Sequence, residues 1–141
     1  MIKTYYLAYG HNVNDYRVGP ICKDARPVSS SFIDGYKLTF REGLANIDPC
    51  EGSRVPVGVW AVSSRDIEVL MSQKEAELYE MKSIKFQKDG YTLNGLVFIM
   101  KDGHKLRKPS AEYIANIRQG YQSFEIDGNY LDKALAEAVD E

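Results

Sequence analysis

The chain opens on Thr4–Ala8, a short β-branched and aromatic run that leads straight into the turn-forming cluster Tyr9-Gly10-His11-Asn12. That pattern predicts a strand followed by a tight loop. Residues 12 to 27 are mostly polar and are interrupted by Gly19, Pro20 and Pro27, so irregular structure with at most a short helix is expected there. From 28 to 62 the residues become β-formers punctuated by Asp34-Gly35, Glu42-Gly43, Asp48-Pro49 and Glu51-Gly52. Several short strands joined by tight reversals follow from that punctuation. Ser63 with Asp66 three positions on has the spacing of a capping box, and Ile67, Leu70 and Met71 fall at i, i+3 and i+4. An amphipathic helix over roughly 64 to 76 is the consequence.

The β pattern returns over 79 to 86, turns at Asp89-Gly90, continues over Tyr91–Met100 and stops at Asp102-Gly103. Beyond it the period becomes helical. Pro109-Ser110 supplies a start, Ile114, Ile117 and Tyr121 share one face, and Gly120 marks the expected stop. A last helix begins near Asp127, with Tyr130, Leu131, Ala134, Leu135 and Ala138 on one stripe. Strands first and helices later, without βαβ alternation, predict an α+β fold with a mixed or antiparallel, barrel-like sheet. With no interior linker, residues 1–141 read as a single domain.

Composition adds exclusions. The 141 residues carry 18 Lys and Arg against 20 Asp and Glu, a net charge of −2. No basic stripe is present to collect phosphates, so nucleic acid is not expected as a partner. No apolar run approaches the length of a membrane span; Tyr91–Met100 is interrupted by Asn94 and Gly95. The amino terminus lacks the apolar core of a signal peptide, and a cytoplasmic location with no membrane partner is the expectation. Cys22 and Cys50 match no disulfide framework or zinc spacing. Ten Tyr against five Phe and one Trp is the distinctive bias. Tyrosine suits a cavity that is both apolar and hydrogen-bonding, and equally suits strand packing.

The usual catalytic signatures are missing: there is no Gly-x-Ser-x-Gly, no phosphate-binding glycine loop and no His-Glu-x-x-His. His11 and His104 sit in glycine-adjacent loops with no ligand at chelate spacing, so neither a metal nor a cofactor is expected. An enzyme built on this chain would act by binding, orientation and one acid–base group. Tyr9-Gly10-His11-Asn12 is the most informative segment, because a glycine lets backbone N–H groups approach an oxyanion. A plain structural turn satisfies the same residues. Asn46, before Asp48-Pro49, reads as buried and hydrogen-bonded, and Lys74-Glu75-Ala76-Glu77 reads equally as a solvated helix end.

Taken in order, Tyr6-Leu7-Ala8-Tyr9-Gly10-His11-Asn12, Gly35-Tyr36-Lys37-Leu38-Thr39-Phe40, Ala45-Asn46-Ile47-Asp48-Pro49, Val55-Pro56-Val57-Gly58-Val59-Trp60 and Pro109-Ser110-Ala111-Glu112-Tyr113 with Gly120-Tyr121 resemble the γ-glutamylcyclotransferase superfamily, including its AIG2-like members. The resemblance runs from residue 4 to about residue 135. It implies a small mixed β-barrel with flanking helices around a cavity for a γ-glutamyl group. It also implies the reaction, in which the substrate's own α-amine closes on its γ-carbonyl to give 5-oxoproline and a free amine, without an enzyme nucleophile.

Two positions depart from the family pattern. His11 stands where the family loop has serine, and the family's Leu-Asp-x-x-Glu-Gly segment is eroded. Counted without gaps from Trp60, Met71 replaces the Asp and Lys74 falls at the Glu. A one-residue shift places Glu75 there instead. Lysine, a cation at neutral pH at its ordinary pKa, cannot take over the carboxylate's work. The resemblance therefore implies Glu75 as catalytic base, a different acid such as Glu77 being an alternative to it, and Tyr9, Gly10, His11, Asn12, Tyr79 and Tyr113 as residues binding a γ-glutamyl or related small amide. A cavity that binds without turnover is the alternative. Tyr36, Tyr121 and Tyr130 read as packing residues.

Overall fold

A computed structural model describes residues 4–141. Strand β1 (Thr4–Ala8) is followed by a 3₁₀ turn (His11–Val13) and a one-turn helix α1 (Asp15–Val18). Strands β2 (Arg26–Arg41) and β3 (Leu44–Val62), helix α2 (Ser64–Met71) and a second 3₁₀ turn (Lys74–Leu78) come next. Strands β4 (Tyr79–Lys88) and β5 (Tyr91–Met100) and helices α3 (Ala111–Ser123) and α4 (Asn129–Glu137) complete the chain.

The order of strands in the sheet is β2-β3-β1-β5-β4, with β1 antiparallel to β3 and parallel to β5. This is the mixed sheet of the α+β expectation. Its two edge strands curl toward each other, and the Ser31 hydroxyl on β2 donates to the Gln87 carbonyl on β4 at 2.8 Å. The barrel is thus rolled but open, since the backbone ladder does not continue across that seam among the described residues.

The punctuation between 28 and 62 marks one real reversal. Arg41 pairs with Leu44 across Glu42-Gly43, whose φ angles of 55° and 78° meet the requirement of a type I′ hairpin for two left-handed residues. Asp89-Gly90 does the same between Lys88 and Tyr91. Asp34-Gly35, in contrast, is a bulge inside β2: the register slips between Asp34 and Tyr36, with Gly35 at φ 82°. The several short strands predicted there are two long ones.

Helix α2 begins at the predicted capping box, in which the Ser63 hydroxyl accepts from the Asp66 N–H and Asp66 accepts from the Ser63 N–H. It ends at Met71, five residues before the predicted stop. The Ser72 hydroxyl donates to the Val69 carbonyl at 2.7 Å, and Gln73 turns to extended backbone; a serine that bonds its own backbone competes with helix continuation. Helix α3 starts at Ser110 as predicted but runs through Gly120 to Ser123. Gly120 is there for contact. A Cβ on it would stand 2.2 Å from Val13 Cγ2 and 2.6 Å from the Val13 carbonyl carbon, so its missing side chain lets α3 press on the loop after β1.

Leu7, Ile33, Val55, Val57, Val59, Trp60, Ile117 and Leu131 are fully buried between the concave sheet and the helices. Phe124 packs edge-on against Trp60 at 5.4 Å and fills the space left by Gly58, where a Cβ would stand 2.7 Å from its ring. No helix among the described residues is long and apolar enough to cross a membrane.

Candidate functional site

β1 ends against β3 only over Gly58–Val62, so the other end of β3 has no strand on that side. There the backbone of Ala45 meets side chains. The Ala45 N–H donates to the Tyr113 hydroxyl at 2.9 Å, and the Tyr79 hydroxyl donates to the Ala45 carbonyl at 2.6 Å. Two tyrosines thereby satisfy a peptide that would otherwise be unpaired, and their rings wall a cavity beneath the loop after β1. The next residue, Asn46, is buried as expected and accepts the Met100 N–H at 2.8 Å.

The cavity holds about 510 Å³ of atom-free space, its open mouth included. Tyr9, Gly10, His11, Asn12, Glu75, Tyr79 and Tyr113 all line it, so the structure brings these seven residues together, and Glu77 is not among the lining. Leu44, Leu70, Ala76 and Phe98 supply apolar wall. Of the acidic segment, Glu75 alone turns inward; Lys74 and Glu77 are exposed and take no part in the lining.

The loop is fixed from below. The Trp60 indole N–H donates to the Asn12 carbonyl at 3.1 Å, and the Asn12 amide donates to the Tyr6 hydroxyl at 2.9 Å. Tyr9 is anchored across the sheet, its hydroxyl donating to the Phe98 carbonyl at 2.5 Å. Gly10 fits closely: a Cβ would stand 3.0 Å from Ala45 Cβ and 3.2 Å from the Tyr113 oxygen.

The charged part of the site includes a residue that sequence reasoning did not single out. Asn14 caps α1, accepting the Tyr16 N–H at 2.9 Å and donating to the Asn116 carbonyl at 3.0 Å and to Gln119 at 2.8 Å. This pins the short helix to α3 and aims Arg17 at the cavity. Arg17 donates to Glu75 Oε1 at 2.6 Å and, through Nε, to Asn12 Oδ1 at 3.1 Å. His11 Nε2 lies 2.9 Å from the same Oε1. Glu75 Oε2 has no hydrogen-bond partner among the described residues. Tyr6 stands in the sequence only as the first residue of a motif fragment, and Arg17 belongs to a polar stretch with no pattern.

Burial, with Arg17 adding to it against the pull of Glu75, depresses His11 to a pKa of about 4. Its imidazole is neutral at pH 7, so Nε2 carries the proton that Glu75 accepts. Burial pushes Tyr113 up to about 12, partly offset by backbone N–H bonds from Ala45 and His11. Tyr6, Tyr9 and Tyr79 are likewise raised by burial. All four phenols stay protonated, and Glu75 is the acidic side chain in the cavity lining among the described residues. Among the described residues no three His, Cys, Asp or Glu side chains converge as a ligand set for a metal ion.

No protein-family model matches the sequence, and no curated protein matches it at the level of sequence. The three-dimensional structure does have counterparts. A solved γ-glutamyl cyclotransferase superposes with a TM-score of 0.84 at 19% identity, over 99% of this chain and 90% of the other. The uncharacterized protein loc79017 from Homo sapiens gives 0.81 at 19% identity, over 99% and 89%. An aig2-like protein from Mus musculus gives 0.61 at 12% identity, over 81% and 84%. The chain has the γ-glutamylcyclotransferase fold, as the order of its motifs implies; at these identities the likeness speaks for the fold alone.

Proposed function

We propose that this protein is a γ-glutamylcyclotransferase-type enzyme that converts a γ-glutamyl amine or amino acid into 5-oxoproline and the free amine. The observation that carries the reading is the inward turn of Glu75 into the cavity beneath the Tyr9–Asn12 loop, while Lys74 and Glu77 stay outside. The cavity lining offers Leu44, Leu70 and Phe98 to the methylenes of a folded glutamyl chain and the loop's backbone donors to its carboxylate.

Folding the substrate brings its amine to its own γ-carbonyl. Orientation of that kind offsets roughly 7–11 kcal/mol of barrier in well-placed intramolecular reactions. A proton must leave the ammonium for the acid–base centre at Glu75; the amine nitrogen then bonds to the γ-carbon, and the bond to the leaving nitrogen breaks as that nitrogen takes up a proton. Loop N–H groups and neutral tyrosine hydroxyls are the available donors for the developing oxyanion.

A second reading is favoured by the Arg17–Glu75 ion pair, which already occupies one carboxylate oxygen: a cavity that binds a γ-glutamyl-like ligand without turning it over. A panel of γ-glutamyl amines and amino acids separates the two. The enzyme reading expects 5-oxoproline to accumulate with at least one of them. A compound that raises the melting temperature and is recovered intact supports binding alone.

A further inference from the structure

Glu75 stands on a turn with little of its own to hold it. No residue of Lys74–Leu78 is buried, and Gln73 makes no side-chain cap at its start. The turn is tied by the Ala76 N–H on the Gln73 carbonyl at 3.0 Å, by the Lys101 N–H on the Leu78 carbonyl at 2.9 Å and by the Lys101 ammonium on the Glu77 carbonyl at 3.1 Å. None of these bonds fixes the Glu75 side chain. Helix α1 is the opposite case: Val18 is fully buried, and Asn14, 2% exposed, bonds to the Asn116 carbonyl and to Gln119 on α3.

Arg17 joins the two. From the anchored helix its Nη2 donates to Glu75 Oε1 at 2.6 Å, and its Nε donates to Asn12 Oδ1 at 3.1 Å. Asn12 is itself held by the Tyr6 hydroxyl and the Trp60 indole, so the guanidinium connects the carboxylate to the fixed part of the loop. The pair is about a third exposed on each side, 33% for Arg17 and 31% for Glu75. An ion pair that open to solvent adds little to folding stability. Its consequence is placement.

We propose that Arg17 is a positioning residue for the cyclotransferase reaction: one guanidinium spans Glu75 and Asn12 and so sets the carboxylate's place relative to the backbone donors of the Tyr9–Asn12 loop. The inference rests on the cyclotransferase reading and extends it to a residue outside the cavity lining. Arg17 engages Oε1, which His11 Nε2 also approaches at 2.9 Å, and Oε2 is left without a partner among the described residues. The proton acceptor and the donors for the substrate's oxygens must stand in one geometry for the amine to close on the γ-carbonyl. The planar guanidinium suits that task, because two of its N–H edges point in fixed directions; a lysine ammonium is a single point charge on a flexible stem. The competing arrangement makes Arg17 an incidental surface partner of Glu75.

Steady-state kinetics of R17M, R17K, E75Q and R17M/E75Q on a γ-glutamyl substrate, with 5-oxoproline as the readout, decide between them. The proposal expects R17M to lose about 30-fold or more in kcat, the scale of a misplaced catalytic group, with KM changed by less than about three-fold because Arg17 does not line the cavity. R17K should recover no more than about a tenth of the wild-type kcat, since one ammonium cannot hold both partners. R17M/E75Q should be no slower than E75Q, because Arg17 acts through that carboxylate.

Chemical rescue supplies a readout that a merely structural role does not move. Millimolar guanidinium ion should raise the kcat of R17A, and an equal concentration of ammonium ion should not. An R17M variant with wild-type kcat, or a loss confined to KM, overturns the proposal. A melting temperature that collapses in R17M and R17K alike also overturns it, since Arg17 would then be holding the fold. If the wild type makes no 5-oxoproline from any γ-glutamyl compound, the functional reading fails and takes this one with it; an active wild type with an undiminished R17M sinks this inference alone.

Discussion

Tyr79 and Tyr113 hold the two ends of the Ala45 peptide position, one accepting its N–H and the other donating to its carbonyl. A buried backbone group left without its partner costs about 1–3 kcal/mol. Y113F and Y79F should therefore each lose stability in that range by chemical denaturation, although both keep the ring; an unchanged unfolding midpoint for either contradicts the pairing. G10A has a different expected effect. Gly10 sits at a negative φ of −111°, and the Cβ of an alanine there pushes on Ala45 and on the Tyr113 oxygen. The expected outcome is a modest stability loss with a KM or ligand Kd raised about ten-fold, measured beside the wild type. Tyr9 and Tyr113 were legible as cavity residues because each sits in a motif fragment whose order is informative, whereas Tyr79 lies outside those fragments, just after the eroded acidic segment. Arg17 was not, because its meaning lies in a contact to Glu75 across 58 positions of sequence, which no local pattern records.

At the scale of elements, turn chemistry was read correctly as residue preference and wrongly as topology. Asp34-Gly35 and Glu42-Gly43 look alike in sequence, yet one is a bulge and the other a hairpin turn, because pairing on both sides of Gly35 keeps β2 running. Gly120 shows the same limit in a helix. Its sequence position suggests a stop, whereas its use is the approach of α3 to Val13. Alanine would be a better helix former than glycine by about 1 kcal/mol on propensity alone. Contact decides the opposite sign: G120A should destabilise by roughly 1–3 kcal/mol, since the backbone of Val13 must move to admit the methyl. The 3₁₀ turn over His11–Val13 shifts with it, so ligand affinity should fall together with the melting temperature. A G120A variant more stable than wild type would show that the close approach does not hold. The capping box at Ser63 and Asp66, by contrast, is wholly local and was legible as such.

For the whole molecule, pH reaches the cavity beneath the Tyr9–Asn12 loop through His11. Its folded pKa of about 4 lies below the ordinary value of 6.5, so the unfolded chain binds this proton first as pH falls. The stability that the neutral imidazole contributes is complete above about pH 6.5 and is lost as pH falls through about 4. The stability difference between wild type and H11Q should shrink over that interval, and curves that stay parallel would contradict the burial of a neutral His11. The α+β class and the mixed sheet were legible from the order of strand and helix patterns, and a cavity beneath the first loop from the order of motifs; the seam at Ser31 and Gln87 was not, since it joins two edges that no local preference pairs. The central claim is that a carboxylate inside this cavity serves the closure of a γ-glutamyl chain on itself. Its most direct test is the amount of 5-oxoproline formed by wild type and by E75Q from the same γ-glutamyl substrate. The account predicts release by the wild type and a rate at least about 100-fold lower for E75Q; an E75Q variant as fast as the wild type, or a wild type that returns every bound γ-glutamyl compound unchanged, would contradict it.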